Sequence, residues 1–239
     1  MRGAGFTAAR ASHETPVRVK DRLRGLATAV FGPVAKALYA AGVRPDHATW
    51  LGFALSVAAG LAFFEGLFRL GALLAIASGL CDILDGQLAR ARGETSRFGA
   101  FLDSTLDRLA DAALLLGIAG FYVAHVVTLA FDPQRVMEDL ALGLEPRTWA
   151  MVALLAILAL IGSLMVSYTR ARAEGLGLEC KVGWFERPER LVLLIVAGLF
   201  GIGPVMPWAL LVLTLMSFIT TAQRMVHVHK NTRGAGLDP

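Results

Sequence analysis

The chain is predicted to be an all-α integral membrane protein: six transmembrane helices preceded by an amphipathic helix at the interface. Three observations carry this. Hydrophobic residues make up 56% of the 239 positions. Ala48 to Phe64, Ala112 to Phe131, Thr148 to Thr169 and Leu191 to Gln223 contain no Asp, Glu, Lys or Arg, and about 20 apolar residues are enough to cross the hydrocarbon core. Lys and Arg are also distributed unevenly between the connecting segments. If the N-terminus is cytoplasmic, only Arg69, Arg135 and Arg147 fall in outer loops, and the remaining 20 of the 23 basic residues lie inside.

The elements follow in order. Residues 1–16 are mixed and polar and read as disordered. They show no apolar core with a small-residue cleavage site, so no removable signal peptide is expected. Residues 17–41 alternate Arg18, Lys20, Arg22, Arg24 and Lys36 with Leu23, Leu26, Val30, Phe31, Val34 and Leu38, a pattern for a helix lying on the inner leaflet. Six spans then occupy about 47–229 of a single domain covering 17–230. Asp46 or Thr49 is a candidate cap for the first span. Glu65 to Arg69 forms a tight hairpin, and Leu70 to Leu88 forms the second span. Ala91 to Phe98 is a short basic loop, after which helical spacing runs from Gly99 to about Ala130. The longest apolar run is divided by Gly201-Ile202-Gly203-Pro204 and Pro207. Arg170 to Pro188 reads as a loop and residues 231–239 as a polar tail.

The net charge is +4. Its placement follows membrane topology, so no nucleic-acid partner is implied. Cys81 and Cys180 fall on the side argued to be cytoplasmic, where disulfides are rare.

The chemistry is concentrated in acids that border apolar spans, where charge is costly and seldom present without function. Asp82 and Asp85 are three apart and Asp103 and Asp107 four apart, so each pair shares a helical face. The short loop makes the two helices antiparallel neighbours with both pairs at one depth. Oxygen donors without nearby His favour Mg²⁺, Mn²⁺ or Ca²⁺ over zinc. Gly86 and Gly99 leave room beside the acids, and Arg90 is suited to a phosphate. Alternatively, the acids are buried ion-pair partners or line an ion path; for Asp111, one turn further on, a structural role is preferred.

The pattern Asp82-x2-Asp85-Gly86-x2-Ala89-Arg90-x8-Gly99-x3-Asp103-x3-Asp107 resembles, without departure, the motif of the CDP-alcohol phosphotransferases. That resemblance implies a phosphatidyl transfer from CDP-diacylglycerol to an alcohol, with release of CMP. It implies that Asp82, Asp85 and Asp103 hold Mg²⁺ or Mn²⁺, with two ions expected. Asp107 would bind metal and act as the base. Gly86, Ala89, Arg90 and Gly99 would line the CDP pocket. A homodimer is also implied; the bias of basic residues toward one side places the active site and both termini on the cytoplasmic face, in the plasma membrane.

The acceptor is addressed by a second basic cluster. Ser167-Tyr168-Thr169-Arg170-Ala171-Arg172-Ala173-Glu174 and Glu186-Arg187-Pro188-Glu189-Arg190-Leu191 resemble runs of the phosphatidylinositol phosphate synthase branch, which often has Lys where Arg170 stands. By that resemblance Arg170, Arg190 and Arg224 grip the phosphate of a phosphorylated alcohol, inositol phosphate. The nearest alternative is glycerol-3-phosphate, giving phosphatidylglycerophosphate. A cation transporter or channel is the alternative of a different class, and it predicts polar groups continuing across the membrane. Only His125 interrupts the apolar part of the third span, and a packed or interfacial histidine accounts for it.

Overall fold

The computed structural model describes residues 31–34, 37, 40, 42, 45–92, 97–141 and 145–234. The expected amphipathic helix over 17–41 lies largely outside the described residues, of which 31–34, 37 and 40 are helical. Seven helices of defined bounds follow: α1 Pro45–Phe64, α2 Phe68–Arg92, α3 Arg97–Phe131, α4 Pro133–Ala141, α5 Pro146–Gly175, α6 Arg187–Leu199 and α7 Val205–Gly234. No strand occurs among the described residues.

Proline and glycine set most boundaries. Pro45, Pro133, Pro146 and Pro188 stand in first turns, where the missing N–H costs nothing. Gly66, at φ +77°, turns the chain between α1 and α2. A Cβ there would stand 2.9 Å from the Phe121 ring. Gly201, at φ +80°, ends α6, and its amide donates to the Gly198 carbonyl.

Six helices close a ring. α1 packs on α2 and α3, α3 on α5, α5 on α7, α7 on α6, and α6 returns to α2. Small residues allow close approach, as is usual where lipid removes the hydrophobic drive for association. At the α1–α3 crossing, a Cβ on Gly117 would lie 2.0 Å from the Gly60 carbonyl oxygen, and one on Gly60 2.3 Å from that of Ala113. Ala59, Ala156, Ala159 and Ala197 join Phe63, Phe68 and Leu210 in the core. Leu61, Leu116, Leu154 and Val192 point outward, each more than half exposed. Helices with an apolar exterior and a small-residue interior are membrane helices. Asp46–Phe64, Arg97–Phe131, Pro146–Gly175 and Val205–Thr232 are long and apolar enough to cross a bilayer, and the protein is a multi-pass membrane protein. α2 carries Arg69, Asp82, Asp85, Arg90 and Arg92, and α6 has 13 residues, so neither meets that standard alone.

Several boundaries differ from expectation. α5 runs on through Arg170 to Gly175, and α6 begins at Arg187, so the loop expected over 170–188 is shorter at both ends. Arg170 therefore sits on a helix, because no breaker precedes Gly175. α7 continues through Asn231 to Gly234, into the expected tail. The segment between α3 and α5 contains α4, capped by Asp132, whose Oδ1 accepts the amides of Gln134 (3.2 Å) and Arg135 (3.3 Å). His125 is both packed and paired. Its ring centroid lies 4.0 Å from that of Trp149, and Nε2 lies 3.0 Å from Asp139 Oδ2. Cys81 and Cys180 are free and buried.

Candidate active site

α3 has 35 residues, about 50 Å at 1.5 Å per residue, and outreaches a ~30 Å hydrocarbon core. Its first turns therefore stand at the rim of the ring beside the end of α2. α2 stays helical through the whole acidic run, so Asp82 and Asp85 share a face there, as their spacing requires. Asp103, Asp107 and Asp111 rise at one-turn intervals on α3, which packs on α1 rather than directly on α2, so the two acidic helices are not the close neighbours the short loop suggests. Arg187 and Arg190, three apart, occupy the first turn of α6. α5 adds Ser163 and Arg170, and α7 adds Arg224.

Arg187 joins the two acidic helices. Its Nη1 donates to Asp82 Oδ2 at 2.5 Å and lies 2.9 Å from Asp107 Oδ1. One nitrogen touches both, so these carboxylates from different helices converge. Arg187 Nε reaches Asp111 Oδ1 at 3.3 Å. Asp111 Oδ2 accepts from Arg190 Nη2 at 2.9 Å and from Ser163 Oγ at 3.1 Å. Asp111 thus has the structural role preferred for it: it ties α3 to α5 and α6 and orients two guanidinium groups. Asp85, buried, accepts a hydrogen bond from Thr49 Oγ1 at 3.0 Å. Thr49 lies inside α1 and does not cap it, because the helix has already begun at Pro45. α1 also leans close to the acids, since a Cβ on Gly52 would stand 3.3 Å from Asp82 Oδ1.

A cleft of about 410 Å³ opens at this rim. Asp103 and Asp107 line it together with Arg170, Arg190 and Arg224, which come from three different helices. Arg224 is 2% exposed and anchored, with Nε donating to the Val182 carbonyl at 2.9 Å and Nη1 to that of Val166. Arg170 Nε pairs with Glu174 Oε1 at 2.9 Å. Arg190 is 3% exposed, yet its Nε and Nη1 have no hydrogen-bond partner among the described residues. Buried donors left unmade are costly, and two on a cleft wall invite an anion.

The fit of a metal is decided by these donors. They are carboxylate oxygens, suited to a hard divalent cation. The Nη1 of Arg187 already places positive charge between Asp82 and Asp107, at distances somewhat longer than the ~2.1 Å of a magnesium–oxygen bond. With the guanidinium there, no group of three acidic, histidine or cysteine side chains among the described residues is gathered tightly enough to ligate an ion. The side chains of Ala89 and Arg90 lie outside the described residues. Gly86 and Gly99 lie on α2 and α3, one turn or less from Asp85 and Asp103. The roles of Arg187 and Thr49 are not evident from the sequence motifs. For Arg187 a signal existed, because its spacing from Arg190 puts both on one helical face. For Thr49 none did.

Oxygen-rich acids facing an arginine-lined cleft at the end of a membrane helical ring define an enzyme that handles phosphorylated substrates. The profile of the CDP-alcohol phosphatidyltransferases matches residues 43–222, and the chain belongs to that family, a family of transferases. It is 39% identical over 187 residues to the archaetidylinositol phosphate synthase of Methanothermobacter thermautotrophicus, covering 77% of this chain and 82% of that one. It is 36% identical over 213 residues to the phosphatidylinositol phosphate synthase of Mycobacteroides abscessus, covering 86% of each. Its fold is similar to that of the Mycobacterium tuberculosis phosphatidylinositol phosphate synthase crystallised with CDP-DAG bound. The TM-score is 0.68 at 33% identity, over 83% of this chain and 93% of that one. The same enzyme in complex with manganese and citrate gives 0.67 at 33% identity, over 82% and 87%. Family membership sets aside the transporter or channel reading.

Proposed function

We propose that this protein transfers a phosphatidyl group from CDP-diacylglycerol to inositol phosphate, giving phosphatidylinositol phosphate and CMP. The observation that carries the acceptor assignment is Arg190. It is a buried guanidinium fixed by Asp111 through Nη2, with Nε and Nη1 unpartnered on a cleft wall shared with Arg170 and Arg224. A phosphate monoester offers the oxygens that such a fork accepts. The names of the relatives agree with that acceptor.

In this reading Asp82, Asp85, Asp103 and Asp107 hold two divalent cations, Mg²⁺ or Mn²⁺, which neutralise the pyrophosphate and stabilise the departing CMP. Arg170, Arg190 and Arg224 hold the acceptor phosphate and so aim its hydroxyl at the donor. Asp107, on the same cleft, takes the hydroxyl proton as the acceptor oxygen bonds to the lipid-linked phosphorus and the bond to CMP breaks. Gly86, Ala89, Arg90 and Gly99 line the CDP pocket. Positioning and charge neutralisation supply most of the acceleration. The same reading has six spans within a domain over 17–230 and a homodimer in the plasma membrane, with the cleft facing the cytoplasm. The arginine-rich rim and the acidic segment at the opposite end support that orientation.

The test is CMP release by purified protein with CDP-diacylglycerol and Mg²⁺, offering inositol phosphate, glycerol-3-phosphate, inositol or serine. Inositol phosphate is expected to be preferred. Turnover with glycerol-3-phosphate alone overturns the acceptor assignment.

A further inference from the structure

We propose that Arg187 is the internal counter-ion of the cation site. It neutralises Asp82 and Asp107 until a divalent cation arrives, then yields both carboxylates and turns its guanidinium toward the anion cleft. The inference rests on the reading that these aspartates hold the cation.

Three features of the site support it. First, the contact is shared by one atom: Arg187 Nη1 lies 2.5 Å from Asp82 Oδ2 and 2.9 Å from Asp107 Oδ1. A cation held by these two carboxylates competes with the guanidinium for their negative charge. Two like charges at contact distance in a partly desolvated site repel strongly. Second, the Asp111 carboxylate stays anchored through Oδ2 when Arg187 leaves, although its Oδ1 gives up the Arg187 contact. Asp111 keeps Arg190 Nη2 at 2.9 Å and Ser163 Oγ at 3.1 Å, whereas its bond to Arg187 Nε is the longest of the three at 3.3 Å. Third, Arg187 already lines the cleft beside Arg190 and is 23% exposed, so side-chain rotation alone brings it to an anion. Two divalent cations balance the four carboxylates without it, which leaves its charge for a phosphorylated substrate. Arg187 is thus a positioning residue. Without a cation it holds the acids of α2 and α3 together against their mutual repulsion.

The experiment is Mn²⁺ binding to the purified full-length chain in detergent, without substrate. Free Mn²⁺ is followed by its paramagnetic resonance signal in the wild type, Arg187→Gln, Arg187→Lys and Asp82→Asn. Removing the competing charge is expected to tighten Mn²⁺ binding by about tenfold in Arg187→Gln, within the usual range of coupling between sites. Arg187→Lys is expected to tighten it by a smaller factor, since an ammonium cannot span three carboxylates, and it decides the matter if Arg187→Gln does not fold. In a second readout, Tm without cation falls in Arg187→Gln, and saturating Mn²⁺ raises it by more than in the wild type. If Asp82→Asn loses Mn²⁺ while both Arg187 variants bind it as the wild type does or more weakly, Arg187 is a fixed ion pair and the proposal is overturned. If Asp82→Asn binds Mn²⁺ like the wild type, the cation site lies elsewhere, and both the proposal and the reading beneath it fail.

Discussion

Replacing Arg190 with alanine removes one guanidinium from the wall of the cleft, together with its buried ion pair to Asp111. Arg190 is held by Asp111 through Nη2 alone, and Asp111 retains Ser163 on the same oxygen, with Arg187 at its other oxygen wherever no cation has drawn the guanidinium away. Also lost is the pair of buried donors Nε and Nη1. A hydrogen bond to a charged group contributes about 1.5–3 kcal/mol. At 1.4 kcal/mol per tenfold, one such contact with the acceptor phosphate corresponds to a rise in acceptor KM of about 10- to 150-fold. In the proposed reading the donor is held by the acids and not by this wall, so its KM is expected to move by less than about threefold. The assay is CMP release with inositol phosphate varied at saturating CDP-diacylglycerol, then the converse. An unchanged acceptor KM, or an equal rise in both, refutes the assignment of this wall to the acceptor.

Asp107→Asn is expected to lower CMP release on the order of 10³-fold or more, since both a general base and a cation ligand are lost. Arg187 keeps Asp82 and Asp111, so the variant should elute and melt like the wild type; near-normal turnover removes Asp107 from that role. Gly117→Ala places a methyl 2.0 Å from the Gly60 carbonyl oxygen, a backbone atom that cannot rotate away. The crossing of α1 and α3 must open, with a loss of about 2–3 kcal/mol in a detergent melt, and a wild-type Tm would show that these helices are not so close. Chelation of divalent cations is expected to bring CMP release to background, with Mn²⁺ or Mg²⁺ restoring it; activity that persists in excess chelator excludes a cation-dependent reaction.

Four of the expected spans were legible because charge-free runs of that length have few other uses, and the acidic pairs because a carboxylate at the rim of a membrane helix is costly. Arg170, Arg190 and Arg224 were legible as helix-end arginines on the face that bears the acids, and all three line the cleft. What stayed hidden depends on partners distant in the chain. Thr49 looks like a cap until α2 brings Asp85 beside it, 36 residues away in sequence. Arg187 looks like half of a neutral surface run until α6 packs on α2 and sets it against Asp82, 105 residues away. The Gly60–Gly117 crossing has no local signature, since glycine is common throughout this chain. α4 was hidden for a different reason: nine residues in a polar connection carry too few turns to announce a helix.

The central claim is that carboxylates from α2 and α3 share a divalent cation. Anomalous scattering from crystals grown with Mn²⁺ and a CDP-lipid tests it most directly. The account predicts manganese peaks between Asp82, Asp85, Asp103 and Asp107, with Arg187 turned away. A map in which those oxygens ligate nothing, or in which the only manganese lies elsewhere, contradicts it.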